Sequence, residues 1–441
     1  MQKAGVTGLS IAIVNDSQVV YTRQFGWKDK DAATKLDDAT VFGAGSLSKP
    51  VFAYVVATLA EEGAIDLDKP LQQYLARPLS EYPNYRDLAS DPRYRAITAR
   101  MVLSHTSGLP NSRAETRDGR LRIEQEPGSR FLYSGEAIDL LQLAIEELTH
   151  TDLNTLAQNR VFRPFGMSRT SYVWSCAIAS NVAAHHNEFE WASEPDRPPT
   201  ADAAGSMMTT AHDFARFLVG VLAAQGQRAV TIDKMLTPTI RITSRGMFDS
   251  RDRTDAGDSK RLAWGLGWGL FDSPYGRAFF HTGHKGGVQN YAVVYRDRGI
   301  GIVLLSNSDN FESVAREIVA AGIGDTASPF DWLGYPTFDP ALRKPPPRRL
   351  VAIQLTPEVI APYQGDYEWS GGVLHVKADG NQLFASDDGS SWDELSASSE
   401  SVFFFKGRTL TLTFVKDANG SVTRIDVDND GMKMSAQRRE R

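Results

Sequence analysis

Two residue types that can do chemistry together stand three positions apart in Gly43-Ala44-Gly45-Ser46-Leu47-Ser48-Lys49-Pro50. A serine hydroxyl is a poor nucleophile until a base takes its proton. An amine one helical turn further on, on the same face and leaning back toward the N-terminus, can reach it. Ser46 in such a place could also simply cap the helix. A second candidate is Tyr133 in Phe131-Leu132-Tyr133-Ser134-Gly135. A tyrosine there is commonly a packed aromatic with a bonded hydroxyl. Beside a lysine ammonium its phenol is driven toward phenolate and serves as a general base. The third is Phe279-Phe280-His281-Thr282-Gly283-His284-Lys285-Gly286-Gly287, a strand edge whose glycines permit close approach of a ligand or another backbone. Trp264 and Trp268 flank Gly-Leu-Gly and either line a cleft or fill the core.

The remaining histidines read more plainly. His105, in Ser104-His105-Thr106-Ser107-Gly108-Leu109-Pro110, sits beside a glycine turn and is taken as structural. His185 and His186 could join His281 and His284 around a metal, but there is no H-E-x-x-H and no cysteine pairing, so neither metal nor cofactor is expected. Thr210-Ala211-His212-Asp213 reads as a capping box.

Several elements must position these residues. Leu9 to Val14 and Val19 to Tyr21 read as a hairpin turning at Asn15-Asp16-Ser17. Val51, Phe52, Val55, Val56 and Leu59 recur at helical spacing after the S-x-x-K tetrad, with the helix ending at Glu61-Glu62-Gly63. Leu71 to Arg95 reads as loop, and Ala99 to Ser104 as a short helix. A second helix carries Ile138, Leu141, Ala144, Ile145 and Leu148. Thr243 to Lys260 is polar and taken as a surface loop. Strands follow at Tyr291 to Tyr295 and Ile300 to Ser306, then a helix around Val314 to Ala321. Lys344-Pro345-Pro346-Pro347-Arg348-Arg349 is a stiff linker by composition. Beyond it lie five short runs with Gly, Asp and Asn turns, at Gly372 to Val376, Leu383 to Ala385, Val402 to Phe405, Leu410 to Val415 and Val422 to Val427. They form an all-β module, a small barrel. The expected division is 1–335, a linker over 336–349, and 350–441.

The chain has 441 residues, 41% hydrophobic and 23% charged, the balance of a soluble globular protein with a large core. A net charge of -6 without a basic run argues against nucleic acid as a partner. The single cysteine, Cys176, excludes an internal disulfide framework, and no apolar run is long enough to span a membrane. Met1-Gln2-Lys3-Ala4-Gly5 is not a signal peptide and runs almost directly into a strand. An upstream segment is therefore expected to be missing. If that segment was a signal, the location is periplasmic or secreted; otherwise it is the cytoplasm. Oligomeric state is left open.

Ser46-x-x-Lys49, Tyr133-x-Gly135 and His281-Thr282-Gly283, in this order, resemble the class C β-lactamase family and its relatives among penicillin-binding proteins, family VIII esterases and D-aminopeptidases. Ser104 to Leu109, Ala204-Gly205-Ser206 and Trp264 to Trp268 add to the likeness, which covers nearly all of residues 5 to 325. The tail is similar to an appended lipocalin-like barrel. The resemblance implies an α/β (α+β) fold, a β-lactamase/transpeptidase-like domain with an antiparallel sheet flanked by helices. It implies a serine hydrolase in which Ser46 is acylated and Lys49 and Tyr133 share the general-base role. His281 takes the place of a lysine, and the backbone N–H groups of Ser46 and His284 form the oxyanion hole. Gly135, Thr282, Gly283 and Trp268 would meet the substrate. The hydroxyl, amine and phenol are expected within hydrogen-bonding distance of one another.

Two departures bear on substrate. Gly135 stands where many members carry Asn, and His281 removes a permanent positive charge. Both favour a small ester or amide over a β-lactam or a peptide with a C-terminal carboxylate. A carboxylic ester is the first expectation, a D-specific amide or a β-lactam the alternative, and a penicillin-binding cell-envelope protein with poor turnover the reading from another class. A third oddity is the missing helix that usually precedes the first strand.

Overall fold

The computed structural model describes the chain apart from residues 117, 252–260, 344, 370–371, 388, 390–391, 430 and 440–441. The second half of the 243–260 loop and the first residue of the proline linker thus lie outside the described residues. The chain forms two compact units, one within Met1–Leu342 and the other chiefly Arg343–Arg441.

In the first unit, strands β1 (Gly8–Asn15) and β2 (Gln18–Asp29) form the expected hairpin. Asp16 and Ser17 both have positive φ, 48° and 56°, the conformation that matches a two-residue turn to strand twist. β2 runs eight residues beyond the expected Tyr21. Its first half is mostly exposed, so no alternation of apolar and polar residues marks it, and backbone pairing such as Ser10 with Gln24 extends it instead.

β3 (Gly269–Ser273), β4 (Gly276–Lys285), β5 (Val288–Tyr295) and β6 (Ile300–Ser306) complete the long strands. The sheet is antiparallel and nine-stranded, in the order Thr34–Lys35, β2, β1, β6, β5, β4, β3, Ala263–Trp264, Ile240–Arg241. Period-two alternation divides its side chains between two cores. Ala292, Val294, Val303 and Leu305 belong to one, and Tyr291, Val293, Ile302 and Leu304 to the other.

Three of the helices that pack into the first core bear on the site. α1 (Ser48–Glu61) is buried from Ser48 through Leu59, as expected of a helix apolar on every side. α2 (Gly135–Thr149) starts at Ser134, whose Oγ accepts the Ala137 N–H at 3.0 Å. α3 (Ala211–Leu222) starts at Thr210, whose Oγ1 accepts Asp213 N at 3.1 Å; the expected capping box is only half made, because the Asp213 carboxylate instead accepts Arg169 N and Thr170 Oγ1. The second core receives α4 (Glu312–Ile323) through Ala315 and Val319. The 71–95 stretch contains short 3-10 turns, among them Leu71–Tyr74 and Pro83–Leu88, and no long helix. Among the described residues no helix is long and apolar enough to cross a membrane.

The second unit is a closed barrel of eight antiparallel strands, from Gly365–Trp369 to Met432–Arg438, the first and last joined by the pairing of Tyr367 with Arg438. Side chains fill its core, with Tyr363 and Phe414 rings 4.4 Å apart. Three of its strands, Gly365–Trp369, Asp393–Ala397 and Met432–Arg438, go beyond the five legible in sequence. Each has an outward face rich in polar or exposed residues and only one or two buried positions, too few to show a period.

Candidate active site

Ser46 lies in a 3-10 turn, Gly45–Leu47, that feeds directly into α1. The turn is held from several directions. Ala44 N donates to Met207 O at 2.7 Å, Met207 N to Ser48 Oγ at 3.1 Å, and the Tyr172 hydroxyl to Ser48 O at 2.6 Å. Asn290 on β5 donates its Nδ2 hydrogens to Gly43 O and Ala44 O at 3.0 and 3.1 Å. Strand β4 then passes unusually close. A Cβ on Gly283 would sit 2.2 Å from Ala44 O, and one on Gly45 (φ 53°) would sit 3.1 Å from His284 N. Only glycine at both positions lets the His284 backbone approach the turn that bears Ser46. That approach brings together the chain segments carrying the two expected oxyanion donors, the N–H groups of Ser46 and His284.

The amine meets the hydroxyl. Lys49 Nζ donates to Ser46 Oγ at 2.9 Å and to Ala204 O at 2.6 Å. Lys49 is 2% exposed, whereas Ser46 keeps partial access to solvent. Tyr133 comes alongside, with Lys49 Nζ 5.1 Å from its ring centroid. The expectation that all three groups bond one another is met only for the first two. The Tyr133 hydroxyl is buried with no hydrogen-bond partner among the described residues. Catalytic hydrogen bonds are often long without substrate, so the phenol has its bonding capacity still to spend.

The ring of Tyr133 is held by His105. The His105 carbonyl accepts Leu132 N at 2.7 Å, its Nδ1 accepts Ser134 N at 3.2 Å, and the two rings lie 4.2 Å apart. Burial, then the nearby Lys49, pushes the His105 imidazole well below its usual pKa. A neutral ring accepting at Nδ1 carries its hydrogen on Nε2. The structural reading of His105 agrees with these contacts, and its φ of 53° marks a backbone constrained for the purpose.

His281 is fully buried, and burial followed by Lys49 lowers its pKa to about 3. It is therefore neutral at physiological pH. Its Nδ1 lies 2.6 Å from Thr282 O, which makes Nδ1 the donor and leaves Nε2 a buried acceptor with no partner among the described residues. Where related motifs place a cation, this site has a neutral acceptor. His284 behaves differently: its exposed side chain bonds Glu312 at 3.0 Å, and that carboxyl raises its pKa.

Two expected substrate contacts are placed elsewhere. Thr282 points from the opposite side of β4 to His281, with its Oγ1 bonded to Tyr335 and Asn290 O, because neighbours on a strand face opposite ways. Trp268 is 1% exposed and packs on Phe217 and Phe279 in the first core. Trp264 takes the place against the site, with ring centroids 5.9 Å from Tyr133 and 5.5 Å from His281. Gly135 opens α2 against Asn111, whose carbonyl would be 2.8 Å from an added Cβ. An asparagine cannot stand at 135 without a backbone shift.

Sequence reasoning missed Phe248, 65% exposed with its ring 5.4 Å from that of Tyr133. It missed the tie made by Asn290 as well. Ala204 carried a signal through its family-like segment, but its role is played by a carbonyl that every residue has. His185 and His186 lie on a two-residue strand, and His186 Nε2 accepts Lys30 N at 3.1 Å while its Nδ1 faces Asn307.

Comparison with known proteins gives a consistent result. A family profile described as Beta-lactamase matches residues 1–323. The chain is 26% identical over 318 residues to the D-alanyl-D-alanine-carboxypeptidase/endopeptidase AmpH of Escherichia coli K12, covering 68% of this chain and 78% of that protein. It is 21% identical over 323 residues to protein flp of Staphylococcus aureus, covering 70% of this chain. It spans 61% of the length of that relative. Among solved structures, the octameric penicillin-binding protein homologue from Pyrococcus abyssi aligns with a TM-score of 0.61 at 19% identity, over 99% of this chain and 97% of that one. The D-alanine carboxypeptidase AmpC from Burkholderia cenocepacia aligns with a TM-score of 0.58 at 21% identity, over 73% and 95%. At these identities the structural likeness shows the fold.

Proposed function

The chain belongs to the beta-lactamase family of serine hydrolases, and from that premise we propose that it hydrolyses small, largely apolar carboxylic esters through an acyl-enzyme on Ser46. The observation that carries the catalytic part is the 2.9 Å bond from buried Lys49 to Ser46. Ser46 Oγ attacks the acyl carbonyl and its proton passes to the Lys49–Tyr133 pair. The N–H groups of Ser46 and His284 receive the developing oxyanion, a contribution of a few kcal/mol per donor. The leaving alcohol takes a proton as its bond to the acyl carbon breaks. Water activated by Tyr133 then cleaves the acyl–Ser46 ester and restores the hydroxyl.

The substrate class is argued from what the site offers. His281 is neutral and cannot anchor a carboxylate by charge. Gly135 brings no side-chain amide to grip an acylamido group. Phe248 presents an exposed apolar ring beside Tyr133, suited to an apolar acyl or leaving group. These features favour an ester over a C-terminal carboxylate peptide. A second reading, a peptidase or amidase acting on D-residues, is favoured by the likeness to AmpH.

Parallel assays with short-chain aryl esters, D-amino-acid amides and β-lactams separate these readings. Ester turnover that vanishes in Ser46→Ala supports the proposal. Amide turnover far above ester turnover supports the peptidase. A long-lived β-lactam adduct without turnover of either would make the protein a penicillin-binding one.

A further inference from the structure

The amine that activates the nucleophile is held partly by a backbone carbonyl, Ala204 O at 2.6 Å. A carbonyl is only as well placed as the loop that bears it, here residues 201–206. Helix α2, which Tyr133 precedes by two residues, grips that loop at two points one turn apart. Gln142 accepts Ala203 N at 2.7 Å and donates to Ala201 O at 2.9 Å. Asp139, three residues earlier on the same face, has its carboxyl beside that of Asp202, and Asp202 Oδ1 accepts Ala204 N at 2.6 Å.

Asp139 is an anomaly for folding alone. Its neighbours Ile138, Leu140 and Leu141 are all core residues, and its Oδ1 is buried with no partner among the described residues. Burying such a group costs free energy that an apolar residue would save. Burial and then Asp202 push its carboxyl well above the usual carboxylate range, against a smaller opposing pull from Lys49. That direction favours the protonated carboxyl, the form able to donate to Asp202.

We propose that Asp139 and Gln142 are positioning residues for Lys49: through Asp202 and the 201–204 loop they fix the Ala204 carbonyl, so that one helix sets both the phenol and the amine of the site. The inference rests on the hydrolase reading for its kinetic consequences but not for its geometry. Ser206, whose Oγ donates to Tyr172 O at 2.8 Å, holds the far end of the loop independently, so the fold survives loss of the Asp139 contact.

The test compares Asp139→Leu, Asp139→Asn and Gln142→Leu. Steady-state kinetics on a short-chain aryl ester are measured beside thermal midpoints and a crystal structure of Asp139→Leu. Asp139→Leu is expected to lower kcat by about tenfold to a hundredfold, the scale of a misplacement near 1 Å. KM should stay within about twofold and the thermal midpoint should not fall. Asp139→Asn keeps a donor toward Asp202 and should recover most of the activity, and Gln142→Leu should show the same loss in kcat. In the crystal the Ala204 carbonyl should leave hydrogen-bonding distance of Lys49. Wild-type kcat in Asp139→Leu, equal loss in Asp139→Asn, or an unmoved carbonyl overturns the proposal. An inactive wild-type protein strikes the hydrolase reading instead, and the carbonyl position in the Asp139→Leu crystal then decides the positioning role.

Discussion

The two sides of the site are built on opposite principles. On the α1 side the hydrogen bonds are already made: Lys49 bonds Ser46 and Ala204, and Ser48, Tyr172 and Asn290 tie down the turn. On the aromatic side, Tyr133 Oη and His281 Nε2 are buried without partners among the described residues. Yet the Tyr133 ring packs against His105 and Trp264, and the His281 ring against Trp264. One side has its polar atoms already bonded within the protein; the other, held by ring packing and by the Nδ1 bonds of His105 and His281, keeps Tyr133 Oη and His281 Nε2 in reserve. Unpaired buried polar atoms cost stability, and a site that tolerates them gains groups whose first good partner is the substrate.

This contrast can be broken or sharpened by substitution. The largest effects belong to the bonded side. Lys49→Ala should cut kcat for an aryl ester by about a thousandfold or more, as removing a member of a catalytic unit does. It also leaves Ser46 Oγ and Ala204 O without their donor, so the thermal midpoint should fall. Tyr133→Phe should lose about a hundredfold or more in kcat, within the range of general acid–base catalysis. Because the deleted hydroxyl has no partner to abandon, its thermal midpoint should hold or rise. If Lys49→Ala and Tyr133→Phe were equally destabilising, the contrast would fail.

Gly283→Ala is a packing test. Its new Cβ must displace Ala44 O from 2.2 Å, pushing β4 away from the turn that bears Ser46. A drop of about 1 to 3 kcal/mol in stability is expected, as for other overpacked interiors, with kcat falling further than KM rises. Wild-type values in denaturant titration and kinetics would show that the close approach is unnecessary.

The neutral histidines set a pH dependence. His281 falls from an ordinary 6.5 to about 3 in the native state, and His105 is displaced in the same direction. As pH drops below about 6.5 the unfolded chain binds protons that the native chain refuses, so stability is complete above that pH and is lost on acidification. Each imidazole contributes a slope of up to about 1.4 kcal/mol per pH unit. Urea titrations between pH 7 and pH 4 should show it, and His281→Asn should flatten it. The smallest expected effect is at the rim: Phe248→Ala should raise KM for aryl esters severalfold and leave kcat for acetate esters nearly unchanged.

What the sequence made legible was local. Ser46 and Lys49 are three residues apart, so helix geometry alone joins them. His281-Thr282-Gly283 could be ranked as a motif, but its strand period sends Thr282 to the face opposite His281, a distinction the motif conceals. Trp264 and Trp268 differ by one tight turn at Gly267 (φ 79°), and nothing in their spacing says which of them faces the site. Ala204 acts through its carbonyl and Asn290 through contacts about 250 residues distant in sequence, neither of which leaves a compositional mark. The barrel was read from its apolar strands, while its polar-faced ones had too few buried positions to announce themselves.

Covalent labelling addresses the central claim most directly. The wild-type protein and Ser46→Ala are treated with a fluorophosphonate probe and analysed by intact-protein and peptide mass spectrometry. One probe per chain, attached to Ser46 and absent from the variant, is the expected result. An unlabelled wild-type protein, or a probe attached to another residue, would contradict an acyl-enzyme mechanism on Ser46.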